Sequence, residues 1–288
     1  MIIVRLSGGL GNQMFQYAAG KNLAVKNHAT LKLDLSDFGI KREKITPRFF
    51  ALNCFNISAG IASKKEIKAL RKTAGIKNKI KKLLGIKQKS QTMVDPCYYF
   101  LPEVLQLKDN TYLDGFWQSE KYFKGIENII RQEFSLKKEF SGMDEGALKQ
   151  ISESESIAIH IRRGDYVTNL KFNASHGVCP LEYYFEAVRI MENKIKNPRF
   201  FVFSDDLAWA KDNLKINHPI TFLDSGQDYH DLILMSRCKH NIIANSSFSW
   251  WGAWLNNNPD KIVIAPKKWF RNAETNLDDR LPPNWIKI

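Results

Sequence analysis

Short apolar runs alternate with longer helical stretches through the second half of this chain. The apolar runs, which have the character of buried strands, are Ile157–Ile161, Arg199–Ser204, Ile220–Asp224, Asn241–Asn245 and Lys261–Ala265. The helical stretches that separate or follow them are Pro180–Lys196, Leu207–Leu214, Gln227–Cys238 and Ser246–Asn256. Strands that alternate with helices in this way are typical of a parallel, doubly wound sheet. The second half of the chain therefore predicts an α/β domain.

The start of the chain predicts a second domain of the same class. Ile2–Leu6 has the pattern of a strand, Ser7–Gly11 of a tight turn, Asn12–Asn27 of a helix and Thr30–Leu35 of another strand. At 288 residues, the chain is long enough for two medium domains. We therefore expect an α/β protein with two Rossmann-like domains facing a cleft, one over residues 1–150 and the other over residues 151–288.

Positive charge is concentrated in one segment of the first domain. The formal net charge is +13, and residues 63–91 carry eleven Lys or Arg against one Glu. Ile67, Leu70, Ile80 and Leu84 recur there at helical spacing, which predicts a basic helical insertion. Such a helix can lie on an anionic membrane surface, or it can be a solvated face beside a core stripe. A basic nucleic-acid-binding protein is a further interpretation, but it gives the motifs below no role.

Cysteine usage and hydropathy indicate the compartment. Cys54, Cys97, Cys179 and Cys238 are far apart in the sequence, which is more typical of reduced thiols than of a disulfide framework. No stretch approaches the roughly 20 apolar residues of a membrane span. The apolar run at the start is also too short for a signal peptide. These features predict a cytoplasmic protein.

A glycine-rich turn joins the first predicted strand to the first predicted helix. In the run Ser7–Gln13, the glycines let the backbone approach a phosphate, and the helix N-terminus supplies free N–H groups. The run departs from the dinucleotide-binding fingerprint, because Met14 occupies the position of the third glycine. The sequence leaves open whether this turn binds a ligand or only connects two elements.

A histidine and two arginines follow the first predicted strand of the second domain. Strand alternation puts His160 and Arg162 on one face near the carboxyl end of the strand, where ligands bind in open α/β sheets. Arg162 and Arg163 carry planar, permanently charged forks that match phosphate oxygens, and Asp165 follows them. This grouping predicts a preorganised anion site.

Two later predicted strands of the second domain also end in polar residues. Ser204–Asp206 follows one of them, and a carboxylate there can accept paired N–H donors from a guanine edge or cap the next helix. Asn245–Ser247 follows another and offers hydroxyl and backbone N–H groups that suit a phosphate. The Trp-rich continuation after Phe248 favours core packing over ligand stacking.

The spacing of acidic and metal-ligating residues argues against a metal. No two aspartates are arranged as Asp-x-Asp, and the histidines and cysteines do not cluster at metal-ligand spacing. If a sugar diphosphate binds, arginines and helix dipoles must hold it in place of Mg²⁺. We therefore expect neither a metal nor another cofactor.

The motifs together resemble those of glycosyltransferase family 11, the α-1,2-fucosyltransferases, of bacterial type. The matching stretches are residues 8–18, 116–123, 160–166, 203–206 and 243–253. They run in order from one end of the chain to the other, whereas residues 64–91 have no counterpart. The resemblance implies a GT-B-like fold that uses GDP-L-fucose without a metal. The C-terminal domain would hold the nucleotide, and the N-terminal domain would shape the acceptor site.

The resemblance also implies the reaction. The family inverts the anomeric centre and moves β-linked fucose onto the 2-hydroxyl of a galactose as an α-linkage. A related fucosyltransferase that makes an α-1,6 linkage shares an arginine-rich motif of this kind and stays as the alternative. Acceptors of bacterial-type enzymes include glycans on lipid carriers, so we expect a peripheral location at the inner face of the cell membrane, with contact through residues 63–91.

The family motifs, matched to this chain, imply roles for individual residues. Arg162 is the predicted catalytic residue, because it would pair with the diphosphate and stabilise charge on the departing GDP. The other predicted donor-binding residues are Gly9, Gly11, Asn12, Gln13, His160, Arg163, Asp165, Ser204, Asp205, Asp206, Asn245, Ser246, Ser247 and Phe248. Either Asp205 or Asp206 would read guanine. Trp117 and Gln118 are the predicted acceptor-binding residues.

A catalytic base is not predicted. Carboxylates that lie near motif residues are Asp34, Asp114, Glu120 and Asp165, and the sequence does not rank them. A loose displacement in which the phosphate takes the proton would need no protein base.

Overall fold

The computed structural model describes residues 1–39, 47–71, 91–94, 99–271 and 277–288. The chain divides into a first compact unit that ends at Lys137 and a second that runs from Lys138 to Ile288. The predicted boundary at residue 150 falls inside a helix, Glu145–Ser152, whose Ala147 and Ile151 pack into the core of the second unit. Because that helix buries its apolar face there, the boundary lies before it.

The described part of the first unit contains a five-stranded parallel sheet. Its strands are β1 (Ile2–Arg5), β2 (Leu31–Asp34), β3 (Gly60–Ile61), β4 (Gln91–Val94) and β5 (Thr111–Asp114), in the order β3-β2-β1-β5-β4. Helix α1 (Leu10–Lys26) connects β1 to β2 and is buried along much of its length. Gly20 lets it approach the sheet, because a Cβ there would lie 3.0 Å from Leu31 Cδ1 and 3.1 Å from Val4 Cγ1.

The other helices in the described part of the first unit are short. Helix α2 is Lys64–Arg71 and α3 is Glu127–Glu133, and 3₁₀ turns occur at Leu52–Cys54, Pro102–Gln106, Glu120–Tyr122 and Lys124–Ile126. Ile67 and Leu70 of α2 pack against Ile3 and Tyr112 in the core, which makes them unavailable to a membrane. Residues 72–90 of the predicted basic insertion lie outside the described residues.

The second unit contains a six-stranded parallel sheet in its described part. Its strands are β6 (Glu155–Ile161), β7 (Pro198–Ser204), β8 (Ile220–Leu223), β9 (His240–Ile242), β10 (Val263–Ala265) and β11 (Ile286–Lys287), in the order β11-β10-β9-β6-β7-β8. Its helices are α4 (Glu145–Ser152), α5 (Gly164–Thr168), α6 (Leu170–Ser175), α7 (Leu181–Lys194), α8 (Leu207–Asn213), α9 (Asp228–Arg237), α10 (Ser247–Leu255) and α11 (Leu277–Arg280), preceded by a 3₁₀ turn at Lys138–Phe140. Two parallel sheets with connecting helices confirm the predicted α/β class.

Within the described residues, the cysteines and the helices can be compared with the expectations of reduced thiols and of no membrane span. Cys54, Cys179 and Cys238 are free cysteines, and Cys97 lies outside the described residues. Among the helices described, none combines the length and apolar character needed to cross a membrane.

Candidate active site

Three neighbouring strands of the second unit end in the predicted donor-binding residues. Strand β6 lies between β7 and β9, with Ile161 paired to Ser204 and Ile159 paired to Ile242. Because the carboxyl ends of parallel strands meet at one edge of the sheet, the residues that follow these strands lie together. The predicted motifs after β6, β7 and β9 are therefore brought into one site.

Arg162 is held between two carboxylates at this edge. Its Nη1 lies 2.8 Å from Asp205 Oδ2, and its Nη2 donates to Asp165 Oδ1. The guanidinium carbon also lies 5.2 Å from the centre of the Tyr166 ring. Because the guanidinium is already fixed from two sides, Arg162 loses little side-chain entropy when it binds a ligand.

Arg163 is fixed by a stacking contact and by the second aspartate. Its guanidinium carbon lies 3.7 Å from the centre of the Trp209 ring, and its Nε lies 3.1 Å from Asp206 Oδ2. Its backbone N–H donates to Asp205 Oδ1 at 2.8 Å. The planar stack on an indole is specific to arginine, since lysine has no flat cation.

Gly164 is a site residue that the sequence did not single out. A Cβ at this position would lie 3.0 Å from Asp205 Cγ and closer still to the Oδ2 atom that pairs with Arg162. Any side chain here would therefore displace the aspartate. The only sequence signal for this role is the glycine itself, directly after the two arginines.

Asp205 and Asp206 are both engaged, but they differ in surroundings. Asp205 Oδ1 accepts a hydrogen bond from the Arg163 N–H, and its Oδ2 forms an ion pair with Arg162. Asp206 caps α8 by accepting the Trp209 N–H at 3.2 Å, while Ser204 Oγ accepts the Asp206 N–H at 3.0 Å. The Asp206 side chain is 36% exposed and that of Asp205 27%, so Asp206 is the more accessible carboxylate.

His160 is buried at the base of the site as a neutral ring. Its centre lies 5.3 Å from that of the Phe248 ring, and among the described residues its Nδ1 has no hydrogen-bond partner. Burial, with a smaller contribution from the Arg162 charge, lowers the pKa of His160 to about 3. The ring therefore contributes a polar atom to the site but no positive charge at neutral pH.

The side chain of Asn245 is used for contacts within the protein. Its Nδ2 donates to the backbone carbonyls of His176, Gly177 and Trp269 at 3.1, 3.2 and 3.1 Å. Its Oδ1 accepts a hydrogen bond from the Cys179 thiol. Because its polar atoms are used in this way, Asn245 braces two chain segments, one at residues 176–179 and the other at Trp269.

Ser246 and Ser247 begin helix α10 at the same edge. Ser246 Oγ accepts the Phe248 N–H at 3.3 Å and caps the helix, and the first turn carries no acidic residue. The positive end of the helix dipole therefore faces the site without a competing anion. Trp250 and Trp251 are fully buried, so the Trp-rich continuation packs in the core as predicted.

The glycine-rich turn of the first unit is organised by Asn12. Gly8 has a φ of +75°, and a Cβ there would lie 2.6 Å from Asn12 Nδ2. Asn12 Oδ1 accepts a hydrogen bond from Gln118 Nε2 at 2.7 Å, which links this turn to the residues after β5. Gly9 precedes α1, and Gly11 is buried in the first turn of that helix. Asn12 and Gln118, predicted for different substrates, therefore form one amide pair.

Gln13 is a structural residue rather than a ligand contact. Its side chain is fully buried, and its Nε2 donates to the carbonyls of Gly8 and Phe49 at 3.0 and 2.8 Å. Its Oε1 accepts the Ala51 N–H at 2.9 Å. The prediction that Gln13 contacts the donor is therefore wrong, because its amide is used to hold a neighbouring segment.

Trp117 cannot provide the predicted stacking surface for a sugar. It is fully buried and meets the Tyr122 ring edge-on at 5.5 Å between centres. Its backbone has a φ of +53°, which turns the chain directly after β5 and directs the indole into the core. The prediction came from the motif and the residue type, and neither shows this turn in the backbone.

The candidate bases have different environments. Asp34 is buried and accepts hydrogen bonds from the Tyr112 hydroxyl at 2.6 Å and the Ser36 N–H at 2.8 Å. Asp165 is bound to Arg162. Asp114 pairs with Arg5 at 3.0 Å and keeps a partly exposed side chain. The first two are therefore structural, whereas Asp114 remains accessible.

Comparison with known proteins agrees with this arrangement. The profile of glycosyl transferase family 11 matches residues 98–288. An alpha-1,2-colitosyltransferase of Escherichia coli is 35% identical over 302 residues, covering 100% of this chain and 99% of its own length. The human galactoside alpha-(1,2)-fucosyltransferase 1 is 27% identical over 154 residues, which are 50% of this chain and 42% of that protein.

A solved structure shows the same fold. A variant of Arabidopsis thaliana FUT1 in complex with GDP has a TM-score of 0.54 and 11% sequence identity, and the match covers 96% of this chain and 72% of that chain. The fold is thus of the GT-B type. The family profile and the Escherichia coli relative show that the chain acts as a glycosyltransferase. Because the family profile matches residues 98–288 and one relative matches from end to end, the chain belongs to glycosyltransferase family 11.

Proposed function

We propose that this glycosyltransferase moves L-fucose from GDP-β-L-fucose to the 2-hydroxyl of a galactoside, with inversion and without a metal, to give an α-1,2 linkage. One observation carries the proposal. Two arginines, held by Asp165, Asp205 and Asp206, lie at the carboxyl edge of the second sheet. A fixed pair of guanidinium groups suits a diphosphate, which is the leaving group of a nucleotide sugar.

The chemistry follows from this charge arrangement. The acceptor oxygen forms a bond to the anomeric carbon from one face, while the bond from that carbon to the diphosphate breaks on the other. The bonding electrons stay on the GDP oxygen, and Arg162 stabilises the charge that develops there. Stabilisation of transition-state charge by preorganised groups is usually the largest single contribution to such a rate.

The rest of the donor site supports the same substrate. Ser246, Ser247 and the N-terminus of α10 would bind phosphate oxygens, and neutral His160 would add a polar contact. We assign guanine to Asp206, because its side chain is the more exposed of the two carboxylates. The proton of the acceptor hydroxyl passes either to the Asp114 carboxylate or to the departing phosphate.

A second donor is favoured by one comparison. The 35% identical relative that matches the whole chain is named an alpha-1,2-colitosyltransferase. Colitose is fucose without the 3-hydroxyl, so GDP-colitose would present the same leaving group to Arg162 and the same α-1,2 outcome. The galactoside alpha-(1,2)-fucosyltransferase relative favours fucose and a galactoside acceptor. Both relatives favour the α-1,2 over the α-1,6 linkage.

Product analysis tests the function directly. The protein is incubated in EDTA with GDP-fucose or GDP-colitose and a panel of β-galactosides, and the product linkage is determined by NMR. The proposal predicts fucose on galactose O2. A product linked at O6 would contradict it, as would a strict requirement for Mg²⁺ or Mn²⁺. Preferential use of GDP-colitose would assign the second donor.

The lysine-rich residues 63–91 bear on where the protein works in the cell. We propose that the protein works at the inner face of the cell membrane, where lysines of residues 63–91 would be attracted to anionic lipid. The concentration of eleven basic residues in that segment supports this. Membership of a glycosyltransferase family speaks against the nucleic-acid-binding alternative.

A further inference from the structure

We propose that Phe49 is the aromatic surface on which the acceptor galactose stacks. This inference rests on the proposed function, since it names a contact for the acceptor of that reaction. The need for such a surface arises because Trp117, the aromatic residue predicted for it, is buried. Phe49 belongs to no motif that the sequence singled out.

Phe49 is unusual in its exposure. Its side chain is 72% exposed, the highest value among the large apolar side chains of the described residues. An exposed phenylalanine ring does not stabilise the fold by burial. An exposed aromatic ring beside polar groups offers a flat apolar face on which a ligand can stack.

The backbone around Phe49 is nevertheless fixed. The Phe49 carbonyl accepts a hydrogen bond from Gln13 Nε2 at 2.8 Å, and the Ala51 N–H donates to Gln13 Oε1 at 2.9 Å. Gln13 itself is fully buried in the first turn of α1. The buried amide thus holds the chain on both sides of Phe49 while the ring faces solvent, which limits the entropy lost when the ring binds a ligand.

Polar side chains that can bind sugar hydroxyls occur on residues next to Phe49 and next to Gln13 in sequence. Arg48 Nη1 lies 3.8 Å from the position that a Cβ on Gly9 would take. Asn12, next to Gln13 in sequence, forms the amide pair with Gln118 at 2.7 Å. An exposed ring with a few fixed polar groups nearby is the usual composition of a small-molecule site.

The shape of galactose explains why an aromatic ring would select it. Its axial 4-hydroxyl leaves the C–H groups at C3, C4 and C5 together on one face, which makes a continuous apolar patch. That patch can stack on Phe49, while the hydroxyls on the other face and edges remain available for hydrogen bonds. In the 4-epimer glucose the 4-hydroxyl is equatorial and the patch is smaller. Phe49 should therefore favour galactosides over glucosides.

Steady-state kinetics test this assignment. We compare wild type, Phe49→Ala, Phe49→Trp and the matched control Phe185→Ala, whose ring is 40% exposed on α7 of the second unit. Phe49→Ala should raise the KM for methyl β-galactoside about tenfold, while the KM for the GDP-sugar stays within about twofold. The preference for methyl β-galactoside over methyl β-glucoside should fall in the same variant. Phe49→Trp should restore both, and Phe185→Ala should match wild type.

Two results would overturn the inference while leaving the proposed function intact. The first is that Phe49→Ala leaves the acceptor KM unchanged. The second is that Phe49→Ala raises the donor KM as much as the acceptor KM. If wild type transfers no sugar, the proposed function fails, and saturation-transfer NMR with methyl β-galactoside decides the inference by itself. A signal that Phe49→Ala loses and Phe185→Ala keeps supports it. Equal signals in all variants, or none in wild type, contradict it.

Discussion

Arg162 Nη1 lies 2.8 Å from Asp205 Oδ2, and this ion pair joins the ends of two neighbouring strands, β6 and β7. The same aspartate accepts the backbone N–H of Arg163, and Gly164 leaves room for its carboxylate. A single carboxylate thus fixes the charged end of one arginine and the backbone of the next. This makes Asp205 a positioning residue for the predicted catalytic arginine.

Asparagine variants separate the roles of the two aspartates. Asp205→Asn keeps the shape of the side chain but removes the charge that holds Arg162, so kcat should fall about tenfold with the donor KM within about threefold. Asp206→Asn should instead raise the donor KM about tenfold, because it would lose a guanine contact. Steady-state kinetics at saturating acceptor measure both. Reversal of the two patterns would exchange the assignments.

Asn245 should contribute to stability rather than to donor affinity. Asn245→Ala leaves the carbonyls of His176, Gly177 and Trp269 without their shared donor, which should lower the free energy of unfolding by about 1–3 kcal/mol. Ser247→Ala is the control at the same helix start, and it should raise the donor KM with little effect on stability. Urea unfolding and donor titration distinguish the two. A large donor effect with unchanged stability in Asn245→Ala would contradict the bracing role.

His160 should make the protein less stable in mild acid. Burial lowers the pKa of His160 to about 3, whereas an unfolded histidine titrates near 6.5. The unfolded chain therefore binds a proton that the folded chain excludes, so stability present above about pH 6.5 is lost as the pH falls. Between pH 7 and pH 5 this single group should cost about 2 kcal/mol of unfolding free energy.

Replacement of the His160 ring tests whether this group lowers the stability of the protein as the pH falls. His160→Gln should lose less stability than wild type between pH 7 and pH 5, as measured by urea unfolding. His218→Gln is the control, because His218 is a partly exposed histidine that pairs with Glu192 at 2.9 Å. If His160→Gln and wild type showed the same pH dependence, the buried neutral ring would be the wrong description.

The lysine-rich segment should bind anionic lipid in a salt-dependent way. Substitution of its lysines at 77, 79, 81, 82 and 87 by Gln should reduce co-sedimentation with anionic vesicles, while transfer to soluble acceptors stays unchanged. Screening at physiological salt, with a Debye length of about 8 Å, should weaken wild-type binding. Gln at the exposed Lys211, Lys267 and Lys268 is the control. Equal binding to anionic and neutral vesicles would show that the segment is a solvated face.

The location of the site was predictable because it depends on topology. Alternating strands and helices predict a parallel sheet, and parallel strands bring their carboxyl ends together, so the motifs around Arg162, Asp205 and Ser246 had to converge. The same reasoning identified Gly9 and Asn12 after β1. Neither prediction requires knowledge of any side-chain contact.

Contacts between segments were not predictable in the same way. Three such features depend on segments that are distant in sequence. They are the burial of Trp117, the three carbonyls around Asn245 and the hydrogen bonds of Gln13 with Phe49 and Ala51. Polar residues at strand ends can face a ligand or brace a loop, and residue type alone does not distinguish the two. Phe49 was missed because an isolated exposed ring leaves no periodic pattern.

The central claim is that Arg162 stabilises charge on the departing nucleotide. Its most direct test is kcat with GDP-fucose and lactose in EDTA for wild type, Arg162→Lys and the control Arg199→Lys, at the amino end of neighbouring strand β7. Arg162→Lys keeps the charge but loses the planar fork, so kcat should fall by about 100-fold or more, which is the scale of about 2.7–4 kcal/mol for loss of such a group. Arg199→Lys should behave as wild type. A kcat/KM for Arg162→Lys within about threefold of wild type would contradict the account.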